Sequence, residues 1–211
     1  ESRRYYANIV GKFGLQVLNI LKKLADLDIE LICSLHGPIY RTKEDILACI
    51  KKYQTWGSYS PEDEEVVIFS GSVYGHTEDF STLLATLVAQ RGIRNTKVLD
   101  ISAIDVSYLL SEAFRAKVLV FASSSYNGGL FTPMENFLMD LVAHNFQNRD
   151  VFVVENGSWA LTAGKTMREI IGQLKNVNIA EETISIKSLL TKDQYADAVA
   201  MADKIVEYLK K

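Results

Sequence analysis

The sequence predicts an α/β fold: a doubly wound, five-stranded parallel sheet in the order 2-1-3-4-5, preceded by a helix-strand-helix segment of different character. Three observations carry that expectation. Apolar runs of strand length alternate with helical repeats from Glu64 onward, three of those runs end in polar loops bearing glycine, and the first sixty residues do not join the alternation.

In chain order, Tyr6, Ile9, Val10, Phe13, Val17, Ile20, Leu21 and Leu24 make an apolar stripe as wide as a core-facing helix requires. Glu30–Leu35 reads as one short strand and Glu44–Trp56 as a second amphipathic helix. Two helices and a strand cannot enclose a core of domain size, so residues 1–60 are expected to pack on a partner surface. Tyr59–Glu65 reads as a short charged linker, which divides the chain into residues 1–60 and 61–211.

The five sheet strands are expected at Val66–Ser70, Thr96–Ile101, Lys117–Ala122, Asp150–Glu155 and Thr183–Lys187. After the first, Phe80, Leu83, Leu84, Leu87 and Val88 recur at helical spacing, and Gly92 stands where a left-handed C-terminal cap belongs. Thr132-Pro133-Met134-Glu135 combines an N-cap threonine, proline at the first helical position and a capping-box glutamate; Thr191-Lys192-Asp193-Gln194 repeats the box without proline. The last helix turns Tyr195, Ala198, Val199, Ala202, Ile205, Val206 and Leu209 to one side.

The loops carry the chemistry. The first strand runs into Ser70-Gly71-Ser72-Val73-Tyr74-Gly75-His76-Thr77, where a helix N-terminus and the hydroxyls of Ser70, Ser72 and Thr77 face the same space. That arrangement suits a phosphate. The loop has no lysine and lacks the Walker spacing, which argues against a nucleoside triphosphate and favours a monophosphate held by neutral donors. The third strand ends in Ser124-Ser125-Tyr126-Asn127-Gly128-Gly129 and the fourth in Asn156-Gly157-Ser158-Trp159. Open α/β sheets bind ligands at these carboxyl ends, over strands one, three and four in this order. Tyr126 and Trp159 offer flat faces to a planar ring, and the glycines let backbone amides approach its polar edge. A flat, phosphorylated cofactor fits all three loops.

Composition bounds the alternatives. A net charge of −3 disfavours nucleic acid and acidic membranes as partners, and no apolar run reaches membrane-spanning length. Cys33 in an apolar strand and Cys49 on a helix face suggest core packing in a reducing cytoplasm. Of the three histidines, His144 near a helix end reads as a surface residue compensating the helix dipole.

Taken together, Gly-Ser-Val-Tyr-Gly-His-Thr-Glu, Ser-Ser-Ser-Tyr-Asn-Gly-Gly-Leu-Phe-Thr-Pro-Met-Glu-Asn-Phe-Leu and Glu-Asn-Gly-Ser-Trp-Ala resemble the three FMN-binding loops of the flavodoxin-like domain of flavodiiron proteins. Residues 1–60 resemble the closing part of that family's metallo-β-lactamase-like di-iron domain through Ser34-Leu35-His36-Gly37-Pro38-Ile39-Tyr40-Arg41. The resemblance implies FMN at Ser70, Ser72, Val73, Tyr74, Gly75, His76, Thr77, Ser124, Ser125, Tyr126, Asn127, Gly128, Gly129, Asn156, Gly157, Ser158 and Trp159. It makes His36 an iron ligand, but only if an upstream half supplies the rest of the di-iron site. It also implies a head-to-tail homo-oligomer, and electrons arriving from rubredoxin or an NAD(P)H-linked reductase and leaving toward dioxygen or nitric oxide.

Departures from the family pattern are Ser124 and Ser125, where proline and threonine are usual, and Gly128, where a second asparagine is usual. The family's upstream His-x-Glu-x-Asp-His cluster does not occur in the sequence, and one imidazole cannot hold two irons. The chain is therefore expected to be the carboxyl-terminal part of a longer protein, acting as its electron-transfer domain and without iron by itself. Two other function classes fit the loops: a stand-alone NAD(P)H:quinone reductase with flavodoxin-like fold, and a non-catalytic interaction module.

Overall fold

The computed structural model describes residues 1–210. Five parallel strands form the expected sheet: β3 (Asp63–Gly71), β4 (Lys97–Asp100), β5 (Ala116–Tyr126), β7 (Gln147–Asn156) and β8 (Lys175–Ile186), hydrogen-bonded in the path β4-β3-β5-β7-β8. This is the order 2-1-3-4-5. Alternate residues feed two cores. Val67, Phe69, Leu119, Phe121, Val151 and Val153 face α5 (Val106–Arg115), α6 (Thr132–Ala143) and α7 (Ala163–Ile171). Val66, Ile68, Val118, Val120, Phe152 and Val154 face α4 (His76–Gln90) and α8 (Tyr195–Leu209). A strand buried on both faces must be apolar at successive positions, which is why these runs do not alternate with polar residues.

Several edges differ from expectation. β8 begins at Lys175 instead of Thr183, because an edge strand with Asn176, Asn178, Glu181 and Glu182 on it has no continuous apolar run to announce it. β5 continues to Tyr126 and folds back through β6 (Gly129–Leu130), with Asn127 at φ 50° and Gly128 at φ 74° in the turn. Two left-handed residues in a two-residue hairpin turn match the strand twist. Phe131, not Thr132, is the N-cap of α6. The Thr191–Gln194 box does form, the Gln194 amide donating to Thr191 Oγ1 at 3.4 Å and the Thr191 amide to Gln194 Oε1 at 3.2 Å, but α8 itself starts only after Gln194. Gly92 takes the expected left-handed conformation at φ 95°.

The amino-terminal stripe is not one regular helix. α1 (Ser2–Tyr5) passes through a π-turn at Tyr6–Val10 and a 3₁₀ turn at Gly11–Phe13 before α2 (Gly14–Lys23). The interruption lets Gly14 press against α3 (Lys43–Gly57): a Cβ there would overlap the Gly57 carbonyl oxygen and come within 2.7 Å of the Tyr59 ring. Instead of a single strand at Glu30–Leu35, β1 (Ile32–Cys33) pairs with β2 (Ile39–Tyr40) in a small antiparallel ribbon. Cys33 is exposed there, which corrects its assignment to core packing; Cys49 is half-buried.

This segment packs on the sheet's own helices. Tyr6, Ala7, Trp56 and Tyr59 share one core with Leu110, Phe114 and Phe121, while Ile9, Phe13 and Ile20 remain exposed. Arg3 bonds Glu62 at 2.9 Å, Glu112 at 3.0 Å and the Ser111 carbonyl at 3.0 Å, and Arg4 bonds Ser107 at 2.8 Å. The Tyr59–Glu65 stretch is therefore no solvated linker: Tyr59 is buried, donating its hydroxyl to Gly11 at 2.7 Å, and Asp63 to Glu65 belong to β3. His144 is corrected likewise. Its Nδ1 lies 2.8 Å from the Asp140 carbonyl and its Nε2 3.1 Å from the Asn8 carbonyl, so it ties α6 to the amino-terminal segment.

A pH dependence follows from the junction. Burial, chiefly, raises the phenols of Tyr6, Tyr53 and Tyr59 above their ordinary value. The folded chain thus keeps protons that the unfolded chain loses, so their contribution to stability is complete below about pH 10 and falls as pH rises above it. Tyr6 has no partner for its hydroxyl among the described residues. Tyr6→Phe is expected to leave stability at pH 7 within about 0.5 kcal/mol while moving alkaline unfolding upward. Near-UV dichroism followed through an alkaline titration measures both, and an unmoved alkaline midpoint would contradict the assignment.

Candidate functional site

Four strands deliver loops to the carboxyl edge of the sheet, and the loops enclose a cavity of about 520 Å³. Its lining includes Ser72, Val73, Tyr74, His76 and Thr77 from the first loop; Ser124, Ser125, Tyr126, Asn127 and Gly128 from the second; and Asn156, Gly157, Ser158 and Trp159 from the third. Three further residues complete it: Ala160, Thr162 and Ser188. Ser188 comes from a fourth loop, after β8, that carries no glycine signature and is not expected from the sequence.

The first loop makes an anion cradle. Gly75 at φ 91° is the N-cap of α4, and no side chain caps that helix, so its first N–H groups point into the loop unclaimed by a cap. Ser72 Oγ accepts from the Gly75 amide at 2.9 Å, which sets the turn. Thr77, buried, lies with its hydroxyl 3.1 Å from that of Ser124, joining the first loop to the second. His76 Nδ1 is buried without a hydrogen-bond partner among the described residues and stands 3.7 Å from Asp79, beyond hydrogen-bond reach. Glu78 and Asp79 are exposed, so solvent screens their repulsion of a bound anion while the amides act at contact.

Hydroxyls counted as ligands turn out to differ in direction. Ser70 is buried and accepts from Ser81 at 3.1 Å beneath the loop, away from the cavity. Ser125 Oγ accepts the amides of Thr162 at 3.0 Å and Ala163 at 3.2 Å, fastening the second loop to the start of α7. The Asn156 side chain closes on the backbone of Ser188, donating to its carbonyl and accepting from its amide, each at 3.0 Å. Ser70, Gly75 and Gly129 do not line the cavity; they shape its walls. Tyr74 and Trp159 are almost wholly exposed and Tyr126 is half-exposed, so the same lining carries three aromatic faces open to solvent. Phosphate-ready donors and open aromatic faces lining one cavity fit a flat, phosphorylated ring system.

The candidate iron ligand stands apart from this cavity. His36 is exposed, its ring 5.5 Å from that of Tyr5, on the rim of a second, largely apolar cavity of about 760 Å³ between α2, α3 and the small ribbon. Among the described residues no three His, Cys, Asp or Glu side chains are grouped to hold a metal ion. Likewise, among the described residues no helix is long and apolar enough to cross a membrane.

Comparison with known proteins gives the same direction. No protein-family model matches the chain. It is 25% identical over 210 residues to the rubredoxin-oxygen oxidoreductase of Megalodesulfovibrio gigas, covering 99% of this chain and 52% of that protein. An anaerobic nitric oxide reductase flavorubredoxin of Aeromonas hydrophila is 26% identical over 176 residues, covering 80% of this chain and 34% of the relative. Among solved structures, rubredoxin oxygen:oxidoreductase from Desulfovibrio gigas superimposes with a TM-score of 0.89 at 26% identity, over 99% of this chain and 52% of that one. A flavodoxin from the domain Archaea superimposes with a TM-score of 0.60 at 17% identity, over 70% of this chain and 99% of its own. The relatives and structural neighbours are thus flavodiiron proteins and a flavodoxin, and the chain spans about half or less of the curated relatives it matches.

Proposed function

We propose that this chain is the carboxyl-terminal, FMN-binding electron-transfer part of a flavodiiron-type oxygen or nitric oxide reductase. The observation that carries the reading is the convergence of loops from β3, β5, β7 and β8 on one cavity whose lining combines the uncapped N-terminus of α4 with open aromatic faces. The flavin would supply the redox chemistry. The chain's own residues do the rest: the amides opening α4 and the hydroxyls of Ser72 and Thr77 hold the phosphate, Tyr126 and Trp159 cover the ring, and the Asn127-Gly128 turn brings backbone to its edge.

Electrons are proposed to arrive from a rubredoxin-type carrier or a flavin/NAD(P)H reductase, by analogy with the rubredoxin-oxygen oxidoreductase and flavorubredoxin relatives. The apolar cavity beside His36 is proposed to receive an upstream half or a second chain, and His36 to ligate iron only when the remaining ligands come with it. The setting proposed is the reducing cytoplasm.

Reconstitution tests the reading. One FMN per chain by absorbance and phosphate analysis is expected; preference for FAD, or no flavin at saturation, would overturn it. Thr77→Val is expected to weaken FMN binding by about 1–2 kcal/mol, through the loss of one hydrogen bond to a charged group. An unchanged Kd would remove Thr77 from the phosphate site.

A further inference from the structure

Glu155 is a buried carboxylate without a cationic partner among the described residues. It sits at the end of β7, next to cavity-lining Asn156, with its side chain on the α7 side of the sheet. One oxygen accepts the Gly164 amide at 2.7 Å; the other accepts the hydroxyl of Ser185, its neighbour in register on β8, also at 2.7 Å. None of the ion pairs among the described residues involves it. Close approach is built in, since a Cβ on Gly164 would come within 2.8 Å of the carboxylate oxygen.

Capping α7 does not require a charge. Ser125 already accepts the amides of Thr162 and Ala163, and a neutral amide or hydroxyl caps a helix as well as a carboxylate does. Burying an ion is costly unless it is paired and hydrogen-bonded, and Glu155 has two hydrogen bonds but no cation among the described residues. What Glu155 adds beyond a cap is a fixed negative charge below the third loop, in a region of low dielectric where its field is weakly screened.

On the flavin reading of this site, we infer that Glu155 is a positioning residue that also sets redox potential. It holds the third loop through Gly164, and its charge disfavours the reduced cofactor. Two-electron reduction of bound FMN near neutral pH adds two electrons and one proton, so the reduced form carries one more negative charge than the oxidised form. A nearby fixed anion opposes that gain while leaving oxidised binding little changed. Glu155 thus keeps the flavin a willing electron donor.

The test is the ratio of reduced to oxidised FMN affinity, measured by anaerobic dithionite titration against a reference dye. Glu155→Gln keeps the shape and removes the charge; it is expected to raise that ratio about tenfold, a potential shift of about 30 mV for the two-electron couple. Glu155→Asp keeps the charge and is expected to stay within about twofold of the parent. Ser185→Ala withdraws a donor that offsets the charge and is expected to shift the ratio the opposite way, by about threefold. A ratio within twofold of the parent in Glu155→Gln, or an unshifted or raised ratio in Ser185→Ala, overturns the inference. If Glu155→Gln does not hold flavin, Ser185→Ala decides alone. Failure of the parent chain to take up FMN is a different result: it overturns the proposed function, and this inference with it.

Discussion

Gly157→Ala is expected to lower FMN affinity about a hundredfold or more, a loss of about 2.7 kcal/mol, without unfolding the sheet. The backbone at Gly157 does not need a positive φ, so the objection is one of space. A Cβ there would overlap the Ala160 carbonyl oxygen, lie 3.3 Å from its carbon and reach 3.1 Å from Ser125 Oγ. Backbone atoms cannot swing aside as a side chain can, so the third loop must open. Opening it moves the chain leading to the Thr162 and Ala163 amides, which Ser125 holds, and so loosens the second loop as well. Both walls of the ring site would then shift together. The contrast is Gly128→Asn. Gly128 has φ 74° with nothing within 4 Å of where a Cβ would stand, and asparagine tolerates that conformation better than most residues. It is expected to change affinity by less than about threefold, under 1 kcal/mol. Flavin fluorescence quenching gives both constants. A Gly157→Ala protein with a near-parental Kd would show that the third loop does not touch the cofactor.

The contrast between these glycines shows what a sequence discloses about such a site. Strand ends, glycines and hydroxyls are legible directly, because buried parallel strands are continuous apolar runs and their loops are abrupt changes of composition. Direction is not. Ser125 and Asn156 have the right donors, yet their side chains are occupied with the Thr162, Ala163 and Ser188 backbones, and Ser70 faces α4. Which way a hydroxyl points depends on neighbours distant in the chain. Ser188 gives no signal because its role comes from the end of β8, a strand half of whose length is polar at the sheet edge. The amino-terminal stripe holds the expected residues but not a regular helix, since Gly11 and Gly14 serve a close approach to Phe114 and Gly57 that only the fold reveals.

Arg149→Met is expected to cost about 3–5 kcal/mol of folding stability while leaving FMN affinity within about threefold. Arg149 is buried at the start of β7, the end of the strand opposite to the candidate site. Its guanidinium donates to the carbonyls of Ala116 and Phe114 at 2.7 Å each, Asn148 at 3.0 Å, Gln147 at 3.2 Å and, closely, Tyr59. It also lies over the Phe146 ring, 5.1 Å from its centre. Among the described residues no carboxylate neutralises it, and burial pushes the guanidinium down to about 9. Two effects therefore compete on substitution: methionine relieves the cost of burying a cation, and it removes the donors that this fork brings to five carbonyl oxygens. The second wins, because each buried acceptor left without a donor costs about 1–3 kcal/mol and a methionine of similar length admits little water to replace five bonds. The Tyr59 bond also fastens the amino-terminal segment to the sheet, so proteolysis near Tyr59 should accelerate in the variant. The pH profile supplies a sign that packing alone does not. With its folded value lowered, Arg149 contributes more stability as pH rises above about 9, opposite to Tyr6, Tyr53 and Tyr59. Removing it is expected to make the alkaline loss of stability steeper. Denaturant melts at pH 7 and above pH 9 measure both effects, and a cost below about 1 kcal/mol at pH 7 would show that the carbonyl fork is not what holds this junction closed.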